Sequence, residues 1–236
     1  MTIQEFLFDV DGTLTKPRNV MTEEHSKMFG EIMFHRHLYS IVSGSDYQKL
    51  QEQLPESILM NAHYVFASMG NDVYQYGKLI SNTKVEFPEQ LILDLEKFLL
   101  LSPVSKTGNH IEYRSGMINF SIIGRNCNQT QRDEYYKWDK EHNERKKIVD
   151  ILKSKYSDFD FCIGGMISID IIPKGKDKAQ VLTYLDADNI MFFGDRIVPG
   201  GNDWSLAQRI MQTQSKYSIF QVDSCNDTFN ILVKFK

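Results

Sequence analysis

The sequence predicts an α/β protein in which an α+β segment interrupts a parallel-sheet core. Short apolar strands alternate with helical patterns near both ends of the chain, and this alternation indicates a parallel sheet with helices on both faces. Between about Asn82 and Lys174 the pattern changes to long polar helices and paired strands. We therefore expect a doubly wound core formed by residues 1–80 and 175–236, with an inserted cap domain at residues 81–174.

The first strand and the turn after it carry the strongest chemical signal. Residues 6–8 form a short apolar run, and Asp9 and Asp11 follow where that strand should end. The two-residue period of a strand puts both carboxylates on one side, and Gly12 allows a sharp turn. An Asp-Gly pair alone is a common turn signal. Two carboxylates at the carboxyl end of such a strand are also well placed for a divalent metal and a phosphoryl group.

The other core elements follow in chain order and complete a Rossmann-like pattern. Thr22 is expected to start a helix that runs to about Phe34. A serine or aspartate of the segment Ser43-Gly-Ser-Asp46 can cap the next helix. The remaining predicted elements are strand 38–42, helix 47–54, strand 64–67, a hairpin at 73–80, helix 176–185, strand 189–194, a helix opened by residues 200–203, strand 216–222 and a helix near residue 228.

The cap segment has its own order of elements. Helical spacing of leucines predicts a helix over residues 89–101. Strands 110–113 and 117–122 are joined by Ser115-Gly116, which indicates a tight hairpin. Residues 131–156 read as one long polar helix, and residues 159–173 as one strand with a possible irregularity at Gly164-Gly165.

Composition excludes several classes of function. The net charge of -4 gives no basic footprint for nucleic acid, and no apolar run is long enough to span a membrane. The start of the chain has no export signal. His35 and His37 form an HxH pair without a third ligand nearby, which favours a loop or strand-edge role over zinc. The widely spaced cysteines indicate reduced thiols in a cytoplasmic protein, and they are Cys127, Cys162 and Cys225.

Four core segments resemble, in order, the motifs of the haloacid dehalogenase superfamily of phosphoryl-transfer enzymes. They are Asp9-Val-Asp11-Gly-Thr13, Ser43, Lys178, and Gly194-Asp195 with Asn202-Asp203. The resemblance implies that Asp9 is the nucleophile and forms an aspartyl-phosphate, while Asp11 is the general acid and base. The Asp9 carboxylate, the Asp11 backbone carbonyl and the Asp195 carboxylate would bind Mg²⁺.

Two of these assignments have structural alternatives. Ser43 is expected to hydrogen-bond the phosphate, but a serine at this position can instead cap a helix. Lys178 is expected to pair with the phosphate and with Asp9, whereas a lone helix lysine is usually a solvated surface charge.

The cap segment resembles the eukaryotic-type phosphomannomutases, and this resemblance covers nearly the whole chain. It rests on the strings HIEYRSGMINFSIIGRNC from His110, GGMISID from Gly164 and FGDRIVPGGND from Phe193. The family implies that three arginines bind the phosphate that is not reacting, because planar guanidinium forks suit a dianion; these are Arg114, Arg125 and Arg132. It also implies that Ser168 and Asp170 hydrogen-bond sugar hydroxyls and that Arg18 contacts the substrate.

The reaction implied by the resemblance interconverts mannose 6-phosphate and mannose 1-phosphate through a hexose 1,6-bisphosphate. Its partners would be hexose phosphates and a bisphosphate activator, its product would enter GDP-mannose biosynthesis, and its state would be a homodimer formed through the cap. The two linkers are expected hinges. Two alternatives remain open: a sugar-phosphate phosphatase on the same scaffold, and a non-catalytic homologue.

Two departures from the family pattern accompany this resemblance. The chain has Phe66-Ala-Ser-Met-Gly70 where the family usually has a Glu-Asn-Gly turn, and Met69 cannot make the hydrogen bonds of an amide. After Asp203 the chain reads WSLAQRIMQTQ, without the Asp-Pro-Arg-Thr element that helps to hold an ion loop in the family. An additional cation site is therefore not expected from this segment.

Overall fold

The computed structural model describes residues 3–236, which divide into two units. The core unit contains residues 3–83 and Lys176–Lys236, and the inserted unit is Lys84–Gly175. The sequence predicts this insertion at residues 81–174. No helix within residues 3–236 combines the length and the apolar composition that a membrane span requires.

The strands are numbered in chain order. They are β1 (Gln4–Phe8), β2 (Leu38–Val42), β3 (Val65–Ala67), β4 (Asp72–Gln75), β5 (Lys78–Asn82), β6 (Ile111–Arg114), β7 (Met117–Phe120), β8 (Phe159–Gly164), β9 (Ser168–Pro173), β10 (Asn189–Gly194) and β11 (Lys216–Gln221).

The helices are numbered in the same way. They are α1 (Glu23–Met33), α2 (Tyr47–Gln53), α3 (Glu56–Asn61), α4 (Glu89–Leu101), α5 (Gln129–His142), α6 (Glu144–Lys155), α7 (Trp204–Thr213) and α8 (Cys225–Leu232). The helix predicted over residues 176–185 is a shorter 3₁₀ segment, Lys178–Thr183, which starts at the capping side chain of Asp177.

The core unit contains a mainly parallel sheet, which confirms the predicted fold class. Within the described residues its strand order is β11-β10-β1-β2-β3-β4-β5. β1 lies between β10 and β2 and pairs with both in parallel, whereas β3, β4 and β5 are antiparallel. Parallel strands covered on both faces are expected to be apolar throughout, and residues 6–8 of β1 are fully buried.

Aromatic packing on one face of this sheet anchors the first strand. Phe6 and Phe8 lie in the same cluster as Phe29 of α1 and Phe229 of α8. The ring of Phe8 lies 5.0 Å from that of Phe193 on β10, centroid to centroid. Each fully buried phenylalanine contributes about 1.5–3 kcal/mol relative to an exposed one. The opposite face of the sheet packs against α7, so helices cover both faces.

The inserted unit is a four-stranded antiparallel sheet with helices on one face. Its strand order is β6-β7-β9-β8 among the described residues. The side chains on one face form a hydrophobic core with residues of α4, α5 and α6. The opposite face carries a row of polar residues, because Glu112 pairs with Asn119, Asn119 with Asp170, and Asp170 with Cys162 across the four strands.

Two predictions for the inserted unit are wrong. The single helix over residues 131–156 is two helices, because Asn143 takes a left-handed conformation (φ 54°) that ends α5. Asparagine tolerates this conformation better than most residues. The single strand over residues 159–173 is the hairpin of β8 and β9, which turns at residues 165–167.

A fully buried carboxylate, Glu5, lies on the central strand β1. Its Oε1 atom accepts a hydrogen bond from the Ser40 hydroxyl at 2.5 Å and lies 3.1 Å from Nδ1 of His63. Its Oε2 atom has no hydrogen-bond donor among residues 3–236. A buried charge is costly without its partners, so His63 and Ser40 together stabilise this position.

We predict that His63→Leu lowers the free energy of unfolding by about 2 kcal/mol, because it leaves the Glu5 carboxylate with one partner fewer. The double variant Glu5→Gln/His63→Leu should lose less than about 1 kcal/mol, since it buries no charge. Urea denaturation followed by circular dichroism measures both values. Equal losses in the single and double variants would contradict this role for the pair.

Candidate active site

The carboxyl ends of three neighbouring parallel strands bring the predicted motifs to one edge of the core sheet. Asp9 follows β1, Ser43 follows β2 and Asp195 follows β10. The backbone amide of Asp9 donates to the Phe193 carbonyl at 2.9 Å, so the parallel pairing with β10 continues to Asp9. This edge of a doubly wound sheet is where ligands bind in such folds.

A buried ion triad forms the centre of the site. The Lys178 ammonium lies 2.5 Å from Oδ1 of Asp9 and 2.6 Å from Oδ1 of Asp203. The Lys178 and Asp203 side chains are fully buried, and that of Asp9 is 5% exposed. The solvated-lysine alternative is therefore wrong. Asp203 belongs to the fourth sequence motif, but the sequence assigns it no role. Only the tertiary fold shows that it contacts the same lysine as Asp9.

The charges of this cluster perturb one another. Burial alone would lower the pKa of Lys178, but the carboxylates of Asp203 and Asp9 outweigh it and raise that pKa, so the lysine remains an ammonium. Burial, together with the nearby Asp203 charge, raises the pKa of Asp195 to about 7. Burial also raises the pKa of Asp9. Lys178 contacts two of these carboxylates, and Nε of Arg196 lies 3.7 Å from Oδ2 of the third, Asp195. The three clustered carboxylates favour a bound cation.

The carboxylates of Asp9, Asp195 and Asp203 could hold a divalent cation. One oxygen of each lies within 4.8 Å of the others, and no other such His/Cys/Asp/Glu group occurs in residues 3–236. Asp203 already accepts from Lys178 with Oδ1 and from the Arg196 backbone amide with Oδ2, at 3.0 Å. Asp9 likewise accepts from Lys178, through Oδ1. Carboxylate oxygens are the ligands that a hard cation prefers, so this group of acids fits a divalent cation.

The absence of a side chain at Gly12 admits the Asp195 carboxylate to this cluster. Gly12 has a φ of +93°, which disfavours any residue with a Cβ atom. A Cβ atom at this position would lie 2.5 Å from Oδ2 of Asp195, closer than van der Waals contact allows. Gly12 therefore has two roles: it allows the turn of the first motif, and it leaves room for the Asp195 carboxylate of the fourth motif.

Asp11 lies next to the triad, but its side chain is held by different partners. Its Oδ1 accepts from the Arg18 backbone amide at 2.6 Å and from the Gln53 side-chain amide at 2.9 Å. Arg18 itself is an exposed loop residue with a φ of 62°. Gln53, on α2, is buried and was not identified from the sequence, because no local motif indicates that it reaches Asp11.

Ser43 is buried at the end of β2, and its hydroxyl accepts from the Ser45 backbone amide at 3.0 Å. The residue that caps α2 is Asp46, whose side chain accepts from the Lys49 backbone amide. The alternative in which Ser43 caps this helix is therefore wrong, and the hydroxyl lies in the loop between strand and helix.

In the inserted unit, Glu112 joins two of the predicted arginines. Its Oε1 lies 2.8 Å from Nε of Arg114, and its Oε2 lies 3.3 Å from Nε of Arg125. Nη1 of Arg125 also donates to the Ser168 hydroxyl at 3.3 Å. All of these side chains are largely buried. The sequence did not single out Glu112, although it stands two residues before Arg114 and alternation puts both on one face.

Asp170 and Arg132 complete the residues predicted in this unit. Oδ1 of Asp170 accepts from the side-chain amide of Asn119 at 2.5 Å, and both residues are buried. Arg132 lies near the start of α5, where Asn128 and Gln131 form a capping box. The structure thus links Arg114 and Arg125 through Glu112, links Ser168 to Arg125 directly, and places Arg132 on a helix.

Comparison with known proteins identifies relatives over most of the chain. A family model described as eukaryotic phosphomannomutase matches residues 27–235. Phosphomannomutase 1 of Dictyostelium discoideum is 41% identical over 238 residues, which cover 96% of this chain and 94% of that protein. A phosphomannomutase of Dendrobium officinale is 43% identical over 212 residues, covering 85% of this chain and 83% of that protein.

Solved structures similar to the chain share its fold at low sequence identity. The C-terminal domain of trehalose-6-phosphate phosphatase from C. albicans superposes with a TM-score of 0.68 and 14% identity, covering 99% of this chain and 92% of that one. An IMP-nucleotidase from Plasmodium falciparum superposes with a TM-score of 0.61 and 18% identity, covering 99% and 68%. At these identities the likeness concerns the fold alone.

We predict that Gly12→Ala weakens binding of a divalent cation at least about tenfold, because the new methyl group displaces the Asp195 carboxylate. The increase in melting temperature during a MgCl₂ titration measures this affinity without an activity assay. Gly175→Ala is the matched control, since Gly175 also has a positive φ (+77°) but nothing within 4 Å of its Cβ position. An unchanged titration curve in Gly12→Ala would contradict the role assigned to Gly12.

Proposed function

Because the chain belongs to the eukaryotic phosphomannomutase family, we propose that it interconverts mannose 6-phosphate and mannose 1-phosphate as an intramolecular phosphotransferase. The observation that carries this proposal is the buried contact of Lys178 with Asp9, at 2.5 Å. A structural lysine has no need of full burial at a sheet edge where ligands bind, whereas a carboxylate that attacks an anionic phosphate needs a fixed positive charge beside it.

Asp9 is the nucleophile in this proposal. One of its oxygens contacts Lys178, and the other accepts from the Thr13 hydroxyl at 3.2 Å. These contacts fix the carboxylate for in-line attack. An Asp9 oxygen forms a bond to one phosphorus of a hexose 1,6-bisphosphate while the bond from that phosphorus to the sugar oxygen breaks, which gives an aspartyl-phosphate and a hexose monophosphate with one free hydroxyl. In the other half of the cycle, the free hydroxyl of a hexose monophosphate forms a bond to the phosphorus of the aspartyl-phosphate while the bond from phosphorus to the Asp9 oxygen breaks, which gives the bisphosphate again.

Asp11 moves the proton in each half of the cycle. It gives a proton to the departing sugar oxygen and later takes one from the attacking hydroxyl. The Gln53 amide, 2.9 Å from Oδ1 of Asp11, orients the carboxyl group for this exchange. Ser43 hydrogen-bonds the transferring phosphate, and Arg18 contacts the substrate.

Mg²⁺ is the cofactor that we propose for the carboxylate cluster. Asp9, Asp195 and the backbone carbonyl of Asp11 would hold it through oxygen ligands. When bound, it would offset the charge of the transferring phosphoryl group. Asp203 acts differently, because its two oxygens hold Lys178 and the backbone of Arg196 in position.

The inserted unit supplies the recognition of the second phosphate in this proposal. Arg114, Arg125 and Arg132 bind the phosphate that is not reacting. Glu112 neutralises part of their charge and so weakens their hold on phosphate. A weaker hold suits a bisphosphate that must be released in order to turn end for end. Ser168 and Asp170 hydrogen-bond sugar hydroxyls. With its three cysteines as free thiols, the protein is proposed to act in the cytoplasm, where its product would supply GDP-mannose biosynthesis.

The test supplies mannose 1-phosphate or glucose 1-phosphate, with and without a hexose 1,6-bisphosphate activator, and measures both the isomer and free phosphate. We expect mannose 6-phosphate to form faster than phosphate is released, and Asp9→Asn to lower kcat at least about 1,000-fold. The exposed acid Asp186, changed to Asn, is the control for a lost charge. If phosphate is released faster than the isomer forms, the protein is a phosphatase. If the parent and Asp9→Asn are equally active, Asp9 is not the nucleophile.

A homodimer formed through the inserted unit is also proposed. Leu100 and Leu101, at the end of α4, are 86% and 79% exposed. Beside them, Pro103 and Val104 form part of the lining of a cavity of about 440 Å³, together with Trp138. An exposed apolar pair next to a cavity that is lined in part by apolar side chains suits an isologous contact, in which each copy fills the cavity of the other.

We predict that Leu100→Glu/Leu101→Glu converts this dimer to a monomer, because it places four charges in an apolar interface. Light scattering coupled to size-exclusion chromatography measures the mass. Ile151→Glu, at a half-exposed position on α6, is the control for an added surface charge. A monomeric parent protein, or a double variant that remains dimeric, would contradict this interface.

A further inference from the structure

The segment after β3 has an unusual backbone that the proposed mechanism does not yet explain. Ser68, Met69 and Gly70 have φ values of 50°, 63° and 89° in succession. Ser68 and Met69 are buried. A left-handed conformation costs a residue with a side chain about 1–2 kcal/mol, so surrounding contacts must hold two such residues in place.

On one side, this segment contacts the loop that carries Ser43. The backbone amide of Met69 donates to the Ser43 carbonyl at 2.8 Å, and that of Ser68 donates to the Ser45 carbonyl at 2.8 Å. The left-handed backbone turns both amides toward this loop. The position of Ser43 therefore depends on the conformation of residues 68–70.

On its other side, the segment contacts the 3₁₀ turn that carries Lys178. The side-chain amide of Gln180 donates to the Met69 carbonyl at 2.9 Å and to the Lys176 carbonyl at 3.0 Å. The two elements also pack closely, because a Cβ atom at Gly70 would lie 2.8 Å from Cγ1 of Val181. One side chain thus joins the peptide of Met69 to the residues on either side of Lys178.

We propose that Gln180 is a positioning residue of the active site, which holds the turn of Lys178 at a fixed distance from the loop of Ser43. This inference rests on the proposed phosphoryl transfer, since both residues serve the same phosphoryl group. A displacement of about 1 Å in a catalytic group can cost about 100-fold in rate, so a bond that sets the spacing of two such groups affects kcat.

The position of Gln180 also accounts for the departure at Met69. The family turn usually has an asparagine at this position, whose side chain can hydrogen-bond its own backbone in the left-handed conformation. Met69 has no such group. The amide that stabilises the segment comes instead from Gln180, on a different part of the chain, and Asn71 adds a side-chain hydrogen bond to the Ser68 carbonyl at 2.7 Å.

The test replaces Gln180 with methionine, which has similar length but no donor, and compares it with Thr183→Val. Thr183 is the matched control, because its hydroxyl donates to the Gln180 carbonyl at 2.8 Å and so stabilises the same turn without a hydrogen bond to residues 68–70. Turnover is measured with mannose 1-phosphate plus bisphosphate and with p-nitrophenyl phosphate, and the melting temperature is recorded for each variant.

We expect Gln180→Met to lower kcat about 10- to 100-fold for both substrates with KM within about twofold, while Thr183→Val retains kcat. Gln180→Glu, which also lacks the donor, replaces the methionine variant if that variant does not fold. Equal kcat in parent and Gln180 variants would overturn the inference, as would an equal loss in Thr183→Val. A parent that hydrolyses p-nitrophenyl phosphate without isomerising mannose 1-phosphate would refute the proposed function alone, and a parent inactive on both would refute both proposals.

Discussion

The ion triad of Lys178 with Asp9 and Asp203 is the interaction on which the core unit depends. These residues come from three separate parts of the chain: the end of β1, the 3₁₀ turn after the insertion, and the loop before α7. A buried charge without a partner costs several kcal/mol, so the loss of any one of these three side chains is expected to destabilise the core unit. The fold and the candidate site therefore depend on the same contact, because Lys178 joins Asp9 at the end of β1 to Asp203 before α7.

The inserted unit follows a simpler physical rule. The two-residue period of its strands separates an apolar face, covered by helices, from a polar face that carries Glu112, Asn119 and Asp170. Arg114 and Arg125 lie on either side of Glu112, which shares its carboxylate between them. Without that carboxylate, two buried guanidiniums would repel each other. Glu112 therefore stabilises the arginine pair and also reduces its net positive charge.

Much of the fold and of the site could be predicted from residues that are local in the sequence. The strands of the core, the start of α1 at Thr22 and the acids at the strand ends follow from apolar runs, caps and motifs. The break at Asn143 could not be predicted, because the helical pattern continues on both sides of it. Asp203, Gln53 and Gln180 were not assigned roles, because each acts on a residue that is distant in sequence and is brought near only by the fold.

The order of strands in the core sheet has a consequence for synthesis of the chain on the ribosome. β1 pairs with β2 on one side, but its other neighbour is β10, which is translated only after the whole of Lys84–Gly175. The contiguous insertion can fold as a unit as soon as it emerges. Until β10 arrives, one edge of β1 remains unpaired and open to other chains. β1 is therefore completed only after β10 has been translated, although it precedes β10 by the whole insertion.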